Sequence, residues 1–332
     1  MLSVVVLRES GRLASFQTYI EKHAEHTQFI KAIYVLDKRR KSLRYSCISS
    51  DEFRSILVPI IRQCENLKTL VITAYIDLEI GEPLSRSLRP NNLEFLSFGD
   101  TIENLSMIFG QQANLRSLKL SGNDLHYTPT LPLLQALSIK GSGPSFSLSY
   151  LSSWAIPSLT TLIIDCETAY IGGQQFEEAI SPIAHQLLHL SISAGIVDIS
   201  IHLILRHCLN LETLNIPLAL TSSVEAASQQ SGGELIHGKL KVVGFLGLNF
   251  VTLNHINLSR FTKLAFPDLI RIEMLTGDIE VVVDAVNRSD VETLECFGEL
   301  QTHCSQNGLL LVDCTGRKFG SIPSANAIES AI

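Results

Sequence analysis

At 332 residues the chain is long enough for two ordinary domains or for one array of stacked repeats. With 45% hydrophobic and 18% charged residues it can fill a large core, which excludes the disordered class. A formal net charge of -7 and a pI near 5.8 exclude any general attraction to nucleic-acid phosphates or anionic membranes. No apolar run reaches the roughly 18 residues of a bilayer span, and the seven cysteines are irregularly spaced without a CxxC pair, so reduced thiols in the cytoplasm are expected.

The opening run MLSVVVL is broken by Arg8 and Glu9; it is too short for a secretory signal and reads as a strand. Leu13, Phe16 and Ile20, three and four apart, place a helix behind it, so residues 1–29 read as a cap of one strand and one helix. Ile30, Ile33 and Val35 then introduce a spacing that is neither helical nor strictly alternating, an apolar residue followed by others three and five positions on. The basic run KRRKSLR, Lys38 to Arg44, reads as a solvated loop, with nuclear import as the competing reading. SDEFRSILVPIIRQC, Ser50 to Cys64, reads as a helix that Pro59 kinks or divides.

From there the triplet recurs, at Leu67/Leu70/Ile72, Leu93/Leu96/Phe98, Leu115/Leu118/Leu120, Leu134/Leu137/Ile139 and Leu159/Leu162/Ile164. It continues at Leu187/Leu190/Ile192, Leu211/Leu214/Ile216, Leu240/Val243/Phe245, Leu269/Ile272/Met274 and Val291/Leu294/Cys296. Val197–Cys208 and Gly277–Ser289 read as helices between triplets, and Thr221–Lys239 as a small, polar insertion.

Starts 19 to 29 residues apart, together with the motif LxxLxLxxNxL at Leu115–Leu125, resemble a leucine-rich-repeat protein over residues 30–320, with 321–332 a tail. The resemblance implies an α/β solenoid of ten to eleven irregular repeats, curved as a horseshoe. Its concave sheet would be parallel, with helices or irregular segments on the outer face. The asparagine of the motif stands only at Asn123, so a continuous asparagine ladder at that position is not expected. In each repeat the second, fourth and sixth residues after the first leucine face the concave side. Most are small, such as Ser117 and Thr213. Phe95, His189, Arg271, Glu273, Leu275, Glu295 and Phe297 are the aromatic, charged or bulky exceptions and form the candidate partner-binding set.

Cys64 and Cys208 give CxxLxxLxV and CxxLxxLxI frames similar to those of F-box proteins, with both thiols expected in the core. The stretch from Ser3 to Asp37, a VVLR strand, a helix and FIKAIYVLD, resembles the segment C-terminal to the F-box in mushroom-type fungal F-box and leucine-rich-repeat proteins. That resemblance implies a protein ligand held on the concave face, and a cullin-ligase adaptor as partner only if an F-box lies upstream. The leading expectation is a non-catalytic protein-binding solenoid, akin to the recognition half of such a protein. An intact ubiquitin-ligase receptor and an enzyme with an unmarked site are the alternatives.

No motif announces chemistry. His185 and His189 lack the glutamate of HExxH, and the glycines at 141, 172 and 232 lack phosphate-loop spacing, so no metal, cofactor or catalytic residue is expected.

Overall fold

Each inward row of the repeat is a column of aliphatic side chains stacked in register. In the computed structural model Ile33, Leu70, Leu96, Leu118 and Leu137 are successive partners across five parallel strands, and all are fully buried. A second column repeats the arrangement, with Leu190, Leu214, Val243, Ile272 and Leu311 in register. Burying each such side chain contributes about 1.5–3 kcal/mol, and a single repeat has no second layer against which to do it. The residues described are 3–7, 10–36, 53–73, 81–99, 105–121, 128–141, 146–166, 171–193, 199, 201–217, 236–246, 261–275, 291–313 and 316–318.

The chain divides into two compact units, Met1–Thr161 and Leu162–Ile332. In the first, the strands β1 (Val4–Leu7), β2 (Ala32–Val35), β3 (Thr69–Ile72), β4 (Phe95–Phe98), β5 (Ser117–Ser121) and β6 (Ala136–Gly141) lie side by side in chain order. The second holds β7 (Thr161–Cys166, whose first residue closes the first unit), β8 (His189–Ile192), β9 (Thr213–Pro217), β10 (Val242–Leu246), β11 (Arg271–Met274) and β12 (Leu310–Asp313), again in order. Parallel neighbours need a crossover between them, and short helices supply several. They are α1 (Ser10–Lys22), α2 (Val58–Gln63), α3 (Gly81–Ser87), α4 (Leu105–Phe109), α5 (Gly173–Ile180), α6 (Ile201–His207) and α7 (Val291–Gln306). Strand order, parallel pairing and crossovers make this an α/β leucine-rich-repeat solenoid.

β1, α1 and a 3-10 turn over Ala24–Phe29 lie within residues 1–29. β1 pairs with β2, and Leu13 and Ile20 of α1 are buried. The helix read over Ser50–Cys64 is present from Phe53 to Gln63 and changes type just before Pro59. A π-helical turn over Phe53–Leu57 precedes α2, where the proline stands in the first turn and its missing N–H costs nothing. The helix of Val197–Cys208 is α6, while Gly277–Ser289, the basic run, most of the Thr221–Lys239 insertion and Asn123 lie outside the described residues.

A tight turn leads into many of the strands and explains the CxxL frames. The N–H of Leu67 donates to the Cys64 carbonyl at 3.2 Å, that of Leu211 to Cys208 at 3.0 Å, and that of Leu115 to Gln112 at 3.1 Å. The residue three before the leucine therefore points inward beneath the turn and must be small, apolar or hydrogen-bonded. Fully buried Gln112 meets the last condition. Its Nε2 donates to the Arg89 carbonyl at 3.0 Å and its Oε1 accepts from Leu93 N at 3.1 Å, tying two repeats together.

Amides also join the layers from a position the motif does not mark. Asn66, Asn92, Asn114 and Asn210 each precede the first leucine of a repeat, and their Nδ2 groups donate to the carbonyls of Gln28, Glu65, Asn91 and His185 in the repeat before. Ser158 does the same to Pro132 at 2.7 Å.

The Val291/Leu294/Cys296 strand is overturned: these residues belong to α7. Past Leu294 the apolar positions Phe297, Leu300 and Cys304 recur three and four apart and are buried, a helical stripe that outweighs the five-residue step. The last strand is β12, where the first and third triplet positions are Gly308 and Asp313. Gly308 closes α7 with φ of 64°, the left-handed geometry glycine adopts without cost. Buried Asp313 accepts from Arg317 N at 2.9 Å and Arg317 Nε at 3.0 Å, while Val312 and Lys318 form an antiparallel bridge. The chain thus turns back along the free edge of β12.

Candidate functional site

A side chain on a β-strand faces opposite to both its neighbours, so the register that buries Leu214 and Ile272 turns the residues beside them to solvent. In the second unit one row is His189, Thr213, Val242, Arg271 and Leu310, and the next is Ser191, Asn215, Gly244, Glu273. Four of the candidate residues fall here. His189 and Arg271 are exposed, whereas Glu273 and Leu275 are half-buried.

Arg271 and Glu273, two apart on β11, point to the same side and meet, Nε to Oε1 at 2.6 Å. With 47% of the arginine side chain accessible, water screens the pair and it adds little stability. Leu275 extends the strip, its N–H donating to the Phe245 carbonyl at 2.9 Å.

Gly244 shapes the neighbouring strand. A Cβ there would lie 2.3 Å from Asn215 Oδ1 and 2.6 Å from Leu275 Cδ1, so these two side chains lean over the glycine and any larger residue would push them apart. Asn215 Oδ1 is buried without a hydrogen-bond partner among the described residues. Arginine, glutamate, leucine and an amide with an unused acceptor thus share one small surface. Asn215 and Gly244 join it only through the register between strands. A glycine inside a strand is the sequence signal of such a close approach.

The other candidates are not part of this strip. Phe95 is a half-buried residue of β4 in the first unit, beside Thr69 and Ser117. Glu295 and Phe297 lie on α7 instead of a strand, and Phe297 is only 2% exposed, so its expected place on the open face is corrected to the core. Continued helical spacing after Leu294 is the reason.

Cys64, Cys166, Cys208 and Cys304 are buried free thiols. Burial pushes the first three up to about 12 and Cys304 to about 11, so they stay protonated at neutral pH and behave as small apolar side chains. Among the described residues no helix is long and apolar enough to cross a membrane.

No family model matches the chain, and no curated protein matches it. Solved structures similar to the chain include the following two. A chain from the crystal structure of the Rad7 and Elc1 complex in yeast matches with a TM-score of 0.39 at 12% identity, covering 81% of this chain and 84% of that one. The leucine-rich-repeat-containing protein LegL7 from Legionella pneumophila matches with a TM-score of 0.34 at 15% identity, covering 98% and 96%. At these scores neither carries an argument about function.

Proposed function

We propose that this is a non-catalytic protein-binding repeat domain whose contact surface includes Arg271, Glu273, Leu275 and Asn215, with His189 at its margin. The carrying observation is the Arg271–Glu273 pair beside Leu275. It sets an arginine, a residue type enriched among binding hot spots, on the same strand face as an apolar side chain. The partner would present a carboxylate to Arg271 and an apolar side chain to Leu275. In finer terms, the N-terminal resemblance favours the substrate-recognition role of an F-box-type protein.

Partners captured from native lysate with the full chain would be identified by mass spectrometry and purified. Arg271→Ala is expected to weaken their binding about thirtyfold, because it removes the charge a partner meets, while the thermal midpoint stays within about 1 °C at so exposed a site. Unchanged affinity would place the contact surface elsewhere.

A self-sufficient ubiquitin-ligase receptor makes a different prediction. Leu13 and Ile20 are buried and Phe16 is half-buried, so most of the apolar stripe of α1 is already in use. This chain and the cullin-ligase adaptor, mixed at about ten micromolar each, are expected to elute separately on size exclusion. A one-to-one complex would favour the receptor reading.

A further inference from the structure

The turn between α1 and β2 gathers His23, Glu25 and His26, and we propose that these three side chains bind a late first-row divalent cation of the zinc class. The site is independent of the protein-binding surface.

Local geometry brings the donors together. Residues Ala24–Phe29 form a 3-10 helix capped by His23, and in a 3-10 helix residues three apart eclipse one another. The His23 and His26 rings accordingly stack, with centroids 5.3 Å apart and planes 14° from parallel. Glu25 reaches both, with Oε1 at 3.7 Å from His23 Nδ1 and 3.9 Å from His26 Nε2, and the three ligand atoms lie within 4.8 Å of one another. Zinc bonds of about 2.0–2.1 Å in tetrahedral geometry separate ligand atoms by roughly 3.3 Å, so rotations of exposed side chains suffice to close the site.

A second contact orients one ligand. Tyr19 Oη lies 2.6 Å from His26 Nδ1. When His26 Nδ1–H donates to that oxygen, the Nε2 lone pair is left for the ion, the outer contact typical of metal-bound histidine. The final carbonyls of α1 add a weak preference for positive charge, since His23 N–H takes those of Tyr19 at 3.0 Å and Ile20 at 3.2 Å and the negative end of the helix dipole lies here. Two imidazoles and one carboxylate select zinc, nickel or copper over magnesium or calcium. Such an ion would pin the end of α1 to the turn that feeds β2.

The full chain, stripped with a chelator, is titrated calorimetrically with zinc chloride and separately with magnesium chloride. Zinc is expected to bind one ion per chain with Kd of about ten micromolar or tighter and to raise the thermal midpoint, and magnesium to do neither. His23→Ala and His26→Ala should each weaken zinc at least about thirtyfold and Tyr19→Phe about tenfold, whereas removing the exposed His185 should change nothing. In the unaltered chain, substoichiometric nickel should broaden the ring-proton signals of His23 and His26 before those of the other histidines, a readout that depends on no variant folding. Absence of saturable zinc binding below about 100 micromolar, binding that survives both histidine variants, or broadening centred on other histidines would each overturn the site.

Discussion

Leu118→Asp is expected to destabilise the fold by about 4 kcal/mol, while Lys119→Glu, one residue on, shifts stability by about 0.5 kcal/mol or less. Leu118 is fully buried, with Leu96 and Leu137 as its partners on the neighbouring strands, so a carboxylate there would lose its hydration with no cation to replace it. Lys119 is exposed on the opposite face of the same strand. The sizes of the two effects test the inward and outward assignment together. Urea titration of each variant checks it, with the unfolding slope compared to confirm a two-state transition. Equal losses would show that β5 does not present alternate residues to opposite faces.

The second large effect reverses an expectation drawn from the sequence. Phe297→Ala is expected to cost about 3–5 kcal/mol, because a fully buried ring is removed from α7 and its neighbours, Leu300 and Cys304 among the buried residues of the same helix, close the space only in part. Were Phe297 on the open face of a strand, its removal would cost under about 1 kcal/mol and appear instead as lost partner affinity. Thermal unfolding separates the two cases. A midpoint within about 1 °C of the unaltered chain would return Phe297 to the surface.

Ten of the eleven triplets in the sequence lie as expected, each burying all three of its members. They are legible because one physical requirement, a column of aliphatic side chains between layers, is written identically each time. The eleventh misleads because Leu294 serves equally as the middle of a triplet and as one step of the helical series through Phe297, Leu300 and Cys304. β12 is hidden because glycine and a paired aspartate replace the apolar ends of its triplet. The interlayer amides stand in plain view as the Asn-Leu pairs at Asn66, Asn92, Asn114 and Asn210, but the repeat motif ties its asparagine to the far side of the strand, at Asn123. At the candidate surface the repeat spacing gives the strand positions of Arg271, Glu273 and Leu275, the first exposed and the other two half-buried, whereas the leaning of Asn215 over Gly244 is a contact between repeats that single-strand periodicity does not encode. The His23, Glu25 and His26 cluster is hidden for a similar reason. The HExxH pattern sets histidines four apart on an α-helix, and a 3-10 turn instead brings together residues spaced by three.

The return of the chain at Arg317 and Lys318 bears on how the molecule keeps to itself. A parallel strand at the end of a stack offers a row of unpaired N–H and C=O groups, the template on which a second molecule would add and polymerisation begin. Here the backbone of Asp313 exchanges hydrogen bonds with its own downstream chain, its N–H donating to the Arg317 carbonyl at 2.9 Å and its carbonyl accepting from Gly316 N at 2.9 Å. The buried carboxylate of Asp313 anchors that returning segment through Arg317. A strand arriving from another copy would have to displace this internal competitor and leave a buried carboxylate without its cation. The residue that erased the repeat signature at Asp313 is thereby the one that holds the chain's own returning segment where an incoming strand would pair.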